Sequence, residues 1–282
     1  MPVANVRGVN INYQIIGESG PFVALITGGR RGHEEFVPLA QKIAAKGYRV
    51  LLHDRRNTGA SDVVIDCPES DVASEEEIWT DDLDALLDQL GAKPAFIGGS
   101  SSGARTSILF YLRHPQSVKR LLLFRITGRA FAARRLPQQY YRQFITACEQ
   151  GGMAAVCDTE QYRERIAANP SNRDRLMAMK PDRYIAIMSR WLKLFEDGGQ
   201  FPVMGVTPAQ LASISVPTVV IPGNDNTHSS QSGLTAHKSI PGSKLHVLPI
   251  EDEDRDLIPI EEWGPLEGEI AQVFVDFMRA HG

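Results

Sequence analysis

Cysteine is scarce in this chain. Three occur among 282 residues, Cys67, Cys148 and Cys157, an odd number at wide spacing. Such a pattern rules out a disulfide framework and has no metal-ligand spacing. It predicts reduced, mostly buried thiols in a cytoplasmic protein without a metal or organic cofactor. A charge excess is also missing. Thirty basic against 34 acidic residues leave a net charge of −4, which gives no electrostatic footprint for nucleic acid or an anionic membrane. No apolar run approaches the roughly 20 residues of a membrane span. The start, Met1-Pro-Val-Ala-Asn-Val-Arg7, lacks the charged leader and apolar block of a signal peptide. Internal repeats and low-complexity linkers are absent as well. What is left is an ordinary globular composition, long enough to hide about three quarters of its unfolded surface. The expected partner is a small molecule, and if the chain self-associates a homodimer is the commonest form.

Apolar patterning supplies the architecture. Val6 to Ile16 alternates around Gly8 and predicts an antiparallel hairpin at a sheet edge. Pro21 to Thr27, Tyr48 to His53, Ala95 to Gly99, Val118 to Phe124 and Val216 to Ile221 are apolar runs of the kind buried on both faces of a parallel sheet. Helical spacing lies between them: His33 to Lys46 closed by Gly47, and Ile78 to Leu90 behind the capping box Ser74…Glu77. Alternating strands and helices predict an α/β fold with a mostly parallel central sheet. That rhythm stops between about Gly128 and Ile214, where helical patterns follow one another at Gln138–Glu149, Thr159–Ala168, Asn172–Met179 and Arg183–Glu196. These predict a helical cap, residues 129–213, inserted before the penultimate strand, with residues 1–128 and 214–282 as the core. On its last helix Tyr184, Ile187, Met188, Trp191 and Phe195 form one stripe. Most belong to the cap's interior, with one or two, Met188 and Trp191 foremost, expected to face a ligand. A last strand, Lys244 to Leu248, and a helix from Leu266 to Ala280 close the chain.

The chemistry-bearing stretch is Gly99-Ser-Ser-Ser-Gly103, a G-x-S-x-G between an apolar strand and a helix. A serine lifted on a sharp strand-to-helix turn needs small flanking residues, and the helix N-terminus faces the charge that develops on attack. Alone the pattern is weak; its setting strengthens it.

Four blocks in the right order make the chain resemble the α/β-hydrolase family along nearly its whole length. Ile26-Thr-Gly-Gly-Arg30 is similar to the oxyanion loop and Asp54-Arg-Arg-Asn-Thr-Gly-Ala-Ser61 to the Asp-x-Arg-Gly-x-Gly-x-Ser turn. Gly99–Gly103 is similar to the nucleophile elbow, and Pro217 to Asp225 to the strand and loop that deliver the catalytic acid. The resemblance implies Ser101 as nucleophile and the backbone N–H groups of Gly29 and Ser102 as the oxyanion hole. It also implies a base histidine after the last strand. Here the segment Pro249–Pro265 has none and instead carries five carboxylates in the six residues Glu251–Asp256.

Among the seven histidines, His228 is the best placed, three residues beyond Asp225. Two triads stay open: Ser101–His228–Asp225, or Ser101–His228 with Asp252 or Asp254 orienting the imidazole. Arg30 is expected to clamp a substrate carboxylate. His33, following the oxyanion loop, either lines the site or caps the next helix. The leading expectation is a serine hydrolase acting on a small ester, lactone, thioester or amide. The alternatives are a lyase or other proton-transfer enzyme without an acyl-enzyme, and a ligand-binding protein without catalysis, because this fold hosts several chemistries.

Overall fold

The computed structural model describes residues 2–280. Eight strands form one sheet: β1 Val3–Val6, β2 Val9–Ile16, β3 Phe22–Ile26, β4 Arg49–His53, β5 Ala95–Ser101, β6 Val118–Ile126, β7 Thr218–Ile221 and β8 Lys244–Leu245. Their spatial order is β1-β2-β4-β3-β5-β6-β7-β8. β1 and β2 pair antiparallel through the Arg7–Gly8 turn, whose two residues both have positive φ. From β4 to β8 every pairing is parallel. Every residue of β3, β5 and β7 is buried, as strands covered on both faces must be.

Period-two alternation sorts the side chains. Val23, Leu25 and Leu52 face helices α1 (Val37–Ala44) and α11 (Glu267–Arg279) with Leu39, Ile43, Phe274 and Met278. Ala24, Ile26 and Leu51 face the opposite layer, α2 (Glu75–Gln89), α3 (Ser102–Arg113) and, further along the sheet, α10 (Ser230–Ser239), through Leu86, Ile108 and Ala236. The capping box opens α2: Ser74 Oγ accepts from the Glu77 N–H and the Ser74 N–H donates to Glu77 Oε2.

Residues 129–213 hold α4 (Arg129–Pro137), α5 (Gln143–Cys157), α6 (Glu160–Ala168), α7 (Ser171–Met177), α8 (Pro181–Asp197) and α9 (Pro208–Ala212). Their apolar faces meet in a cluster of their own, built from Tyr141, Phe144, Val156, Tyr162, Tyr184 and Trp191, which seats on Val63, Ile65 and Ile78 of the core. Departures from the sequence reading include the five-residue α9, which none of the helical patterns announced, and three further features. α4 was not expected, because Arg129 to Pro137 has helix-forming residues but little apolar periodicity. α5 runs on to Cys157 across a break at Gly151 and Gly152, where Gly152 takes φ 63°. β8 is two residues long instead of five: after the His246 N–H donates to Val220 O the ladder ends, and Pro249 follows shortly without an N–H to extend it.

Candidate active site

β5 delivers Ser101 and α3 begins at the next residue, so the chain must reverse within one peptide. Ser101 takes φ 60° and ψ −121°, a region that L side chains rarely occupy. The reversal presses the elbow onto β3. A Cβ on Gly99 or Gly103 would run into the Ile26 carbonyl, so the two glycines are a packing requirement of the turn.

Ser101 Oγ lies 2.8 Å from His228 Nε2 and 3.0 Å from Thr127 Oγ1. His228 and Asp225 share the loop after β7, and their three-residue separation closes a tight turn. Asp225 Oδ1 accepts the backbone N–H of His228 at 2.7 Å, and His228 Nδ1 stands 3.0 Å from both carboxylate oxygens. Oδ2 also accepts the Ile258 N–H and Arg125 Nη2, each at 3.0 Å. Burial alone would raise the pKa of Asp225, but the His228 ring and the backbone N–H groups of Ile258 and His228 outweigh it and hold the carboxyl well below its ordinary value. Burial and the nearby Arg125 push His228 below its ordinary value despite Asp225. At neutral pH the imidazole is therefore uncharged. With its proton on Nδ1 toward Asp225, Nε2 is left to accept from Ser101.

The loop before α1 completes the pocket. Arg55, buried against the Trp79 ring, donates to the carbonyls of Gly28 (3.4 Å) and Gly29 (2.9 Å) and to Ser102 Oγ (3.2 Å). In a trans peptide the N–H points opposite to the C=O. Holding the Gly28 carbonyl on Arg55 thus turns the Gly29 N–H away from Arg55. Ser102, as the first residue of α3, has an N–H with no intrahelical partner. Gly29 and Ser101 line one cavity of about 80 Å³ together with Glu35, Arg135, Gln139, Tyr140 and His228. Glu35 Oε1 accepts the Gly28 N–H at 3.1 Å. Burial raises the Glu35 pKa above its ordinary value, against the opposing pull of Arg31 and that N–H.

Several expected site residues stand elsewhere. Asp252 accepts from Ser230 Oγ and Asp254 from Asn226 Nδ2. Both are exposed, and neither reaches His228, because Asp225 in the turn before it already holds Nδ1. Arg30 is no free clamp: it is buried in an ion pair with Glu75, caged by the rings of Trp79, Tyr140 and Tyr141 at 4.6–5.0 Å. His33 does not line the catalytic cavity. Its Nδ1 and backbone N–H engage Asp54 Oδ1 at 2.9 and 2.7 Å, which ties the end of the oxyanion loop to the end of β4. Trp191 donates to the Ala73 carbonyl from inside the helical cluster, and Met188 is buried in the same cluster. Neither lines the cavity, since the stripe of α8 is spent on its helical neighbours. His33, Glu34 and Asp54 also bring ligand atoms within 4.8 Å of one another. The Asp54 carboxylate there is committed to His33, Asn12 and the Ala60 N–H.

Arg125, Thr127, Glu35 and Arg135 were not singled out by the sequence. A signal existed for Arg125, a cation at the C-terminal end of the otherwise apolar stretch of β6. An arginine there fits an acid supplied from the next strand.

Comparison with known proteins agrees with the fold. Residues 21–147 match a family model described as alpha/beta hydrolase fold. An uncharacterized hydrolase of Bacillus subtilis is 36% identical over 113 residues, so the match spans 40% of this chain and 40% of that relative. A 2-hydroxy-6-oxononadienedioate/2-hydroxy-6-oxononatrienedioate hydrolase of Pseudomonas putida is 27% identical over 255 residues, 85% of this chain and 84% of the relative. Among solved structures, the enol-lactonase from Burkholderia xenovorans superposes with a TM-score of 0.64 at 21% identity, over 98% of this chain and 99% of that one. At that identity the likeness speaks for the fold.

Proposed function

The chain belongs to the α/β-hydrolase superfamily, and from that premise we propose that it is a serine hydrolase working through an acyl-enzyme on Ser101. The reading rests above all on the unbroken hydrogen-bonded chain Ser101 Oγ to His228 Nε2 and His228 Nδ1 to Asp225. The substrate class is a small ester, lactone, thioester or amide.

In this mechanism Ser101 Oγ attacks the carbonyl carbon while His228 Nε2 takes its proton. Asp225 keeps the imidazole in the correct tautomer and stabilises the imidazolium that forms. The carbonyl oxygen, now anionic, is received by the N–H groups of Gly29 and Ser102. His228 returns the proton to the leaving oxygen, sulfur or nitrogen as the tetrahedral intermediate collapses. Water, deprotonated by the same imidazole, then releases the acid and restores Ser101. Glu35, by accepting the Gly28 N–H, steadies the loop that carries the Gly29 donor.

The test is to treat the protein with a fluorophosphonate and locate the adduct by peptide mass. Labelling of Ser101, abolished together with esterase turnover in Ser101→Ala, is the expected result. Absence of an adduct with full turnover in Ser101→Ala would overturn the reading.

A further inference from the structure

The catalytic cavity is small. At about 80 Å³ it falls well short of the roughly 300–1,000 Å³ of ordinary small-molecule sites. A second chamber of about 500 Å³ adjoins it, and the two share Gly29, Arg31, Gln139 and Tyr140 as wall. A substrate with more than a few atoms beyond its scissile carbonyl has this chamber beside it, on the side of the Gly29 donor.

The charge of the chamber is unusual. Arg165, on α6, lines it and is only 4% exposed. Among the described residues no carboxylate forms an ion pair with it. Its Nη2 donates to the neutral Gln161 Oε1 at 3.3 Å, and its guanidinium lies 4.7 Å from the Tyr162 ring centre. Arg30 lines the same chamber, but Glu75 answers that charge. Glu75 is further occupied by Asn57 Nδ2 and the Tyr141 hydroxyl, so it has little left for Arg165. Glu34 and Glu164 reach the chamber from its exposed rim without pairing with Arg165. A guanidinium taken out of water without a counter-ion is costly, and a planar, forked donor is suited to a carboxylate.

We propose that this chamber is a subsite for a carboxylate at the far end of the substrate, with Arg165 as its counter-ion and Gln161 and Gln139 as neutral partners. The substrate is then a carboxylated acyl compound, with the scissile carbonyl at Ser101 and the charged end at α6. This assignment of substrate class rests on the serine-hydrolase reading, whereas the anion subsite can be measured without it.

The experiment uses the full chain carrying Ser101→Ala, which cannot turn over its ligand by the proposed route. Calorimetry compares monomethyl adipate, which has one free carboxylate, with neutral dimethyl adipate. The expected result is a preference of about tenfold or more for the carboxylated compound. It should weaken as salt is raised, fall partly in Arg165→Lys and vanish in Arg165→Gln. Equal affinity for the two compounds, no binding of either, or a preference that survives Arg165→Gln in a folded variant overturns the subsite. Ser101→Ala with Arg165 intact already decides between preference and none, so that outcome holds even where the Arg165 variants fail to fold. If the wild type escapes fluorophosphonate labelling while the Arg165-dependent preference persists, the hydrolase reading fails and the subsite stands.

Discussion

Arg125 and His228 hold the same carboxylate oxygen: Arg125 Nη2 and His228 Nδ1 each lie 3.0 Å from Asp225 Oδ2. Arg125 Nη2 is also 3.4 Å from His228 Nδ1 and donates to the Ile258 carbonyl. To reach this position the backbone of Arg125 takes φ 49°, in the left-handed region that non-glycine residues rarely enter. A fixed cation thus stands behind the acid of the Ser101–His228–Asp225 chain and opposes protonation of the imidazole.

Removing that cation should move the pH dependence in a defined direction. Burial is the largest influence lowering the His228 pKa and Arg125 adds to it, while Asp225 works the other way. In Arg125→Met the His228 pKa should rise, so the acid limb of kcat/KM moves to higher pH. Looser positioning of Asp225 should also cost about tenfold in kcat. A pH–rate profile checks this, and an unmoved acid limb would show that Arg125 serves packing alone.

Asp225→Asn should lower kcat by about 10⁴, because the amide no longer enforces the productive tautomer of His228. Asp252→Asn and Asp254→Asn should leave kcat within about twofold, as exposed surface changes generally have little effect. Steady-state kinetics on the three variants distinguishes the two triads that the sequence left open. A large loss at Asp252 or Asp254 would show that the final loop orients the base.

The contrast between these carboxylates shows where sequence reasoning had purchase. Strands buried on both faces, the capping box at Ser74 and the elbow at Ser101 are local: spacing and residue type specify them, and the fold followed. Asp225 and His228 were visible as a pair because they are three residues apart. Arg125 and Ile258 complete their surroundings from distant elements, at sequence separations of 100 and 33, and no spacing announces such a meeting. Arg30 and Trp191 failed for a related reason. Each has a residue type suited to ligands, but the packing partner that claimed it, Glu75 for one and the Ala73 carbonyl for the other, lies in a different segment of the chain.

Glu75→Gln is expected to destabilise the protein by about 3–5 kcal/mol, since it leaves the nearly inaccessible Arg30 side chain charged and unpaired among three rings. Replacing both partners at once, Arg30→Met with Glu75→Gln, should recover much of that loss, because the penalty lies in the orphaned charge. Denaturant melts of the single and double variants give the comparison. A double variant less stable than Glu75→Gln would mean that the Arg30 side chain stabilises chiefly through its contacts with Trp79, Tyr140 and Tyr141.

Acid should destabilise the fold well above the range in which carboxylates titrate. His53, at the end of β4, is 3% exposed and its Nδ1 has no hydrogen-bond partner among the described residues. Burial, aided by Arg55, lowers its pKa to about 3. His228 is shifted downward as well. For both, the unfolded chain with an ordinary histidine pKa near 6.5 binds a proton that the folded chain refuses. The stability they contribute is therefore whole above about pH 6.5 and is lost as pH falls below it, for His53 down to about 3. Asp225, with its pKa depressed, adds a further loss only below the ordinary carboxylate range. At pH 4.5, two units under the unfolded value, His53 alone should cost roughly 3 kcal/mol. Urea melts at pH 7 and pH 4.5 should show the difference in unfolding free energy shrinking by about that amount in His53→Leu. An identical pH slope in wild type and His53→Leu would mean that the His53 imidazole accepts its proton inside the fold, so that the acid sensitivity has to come from His228.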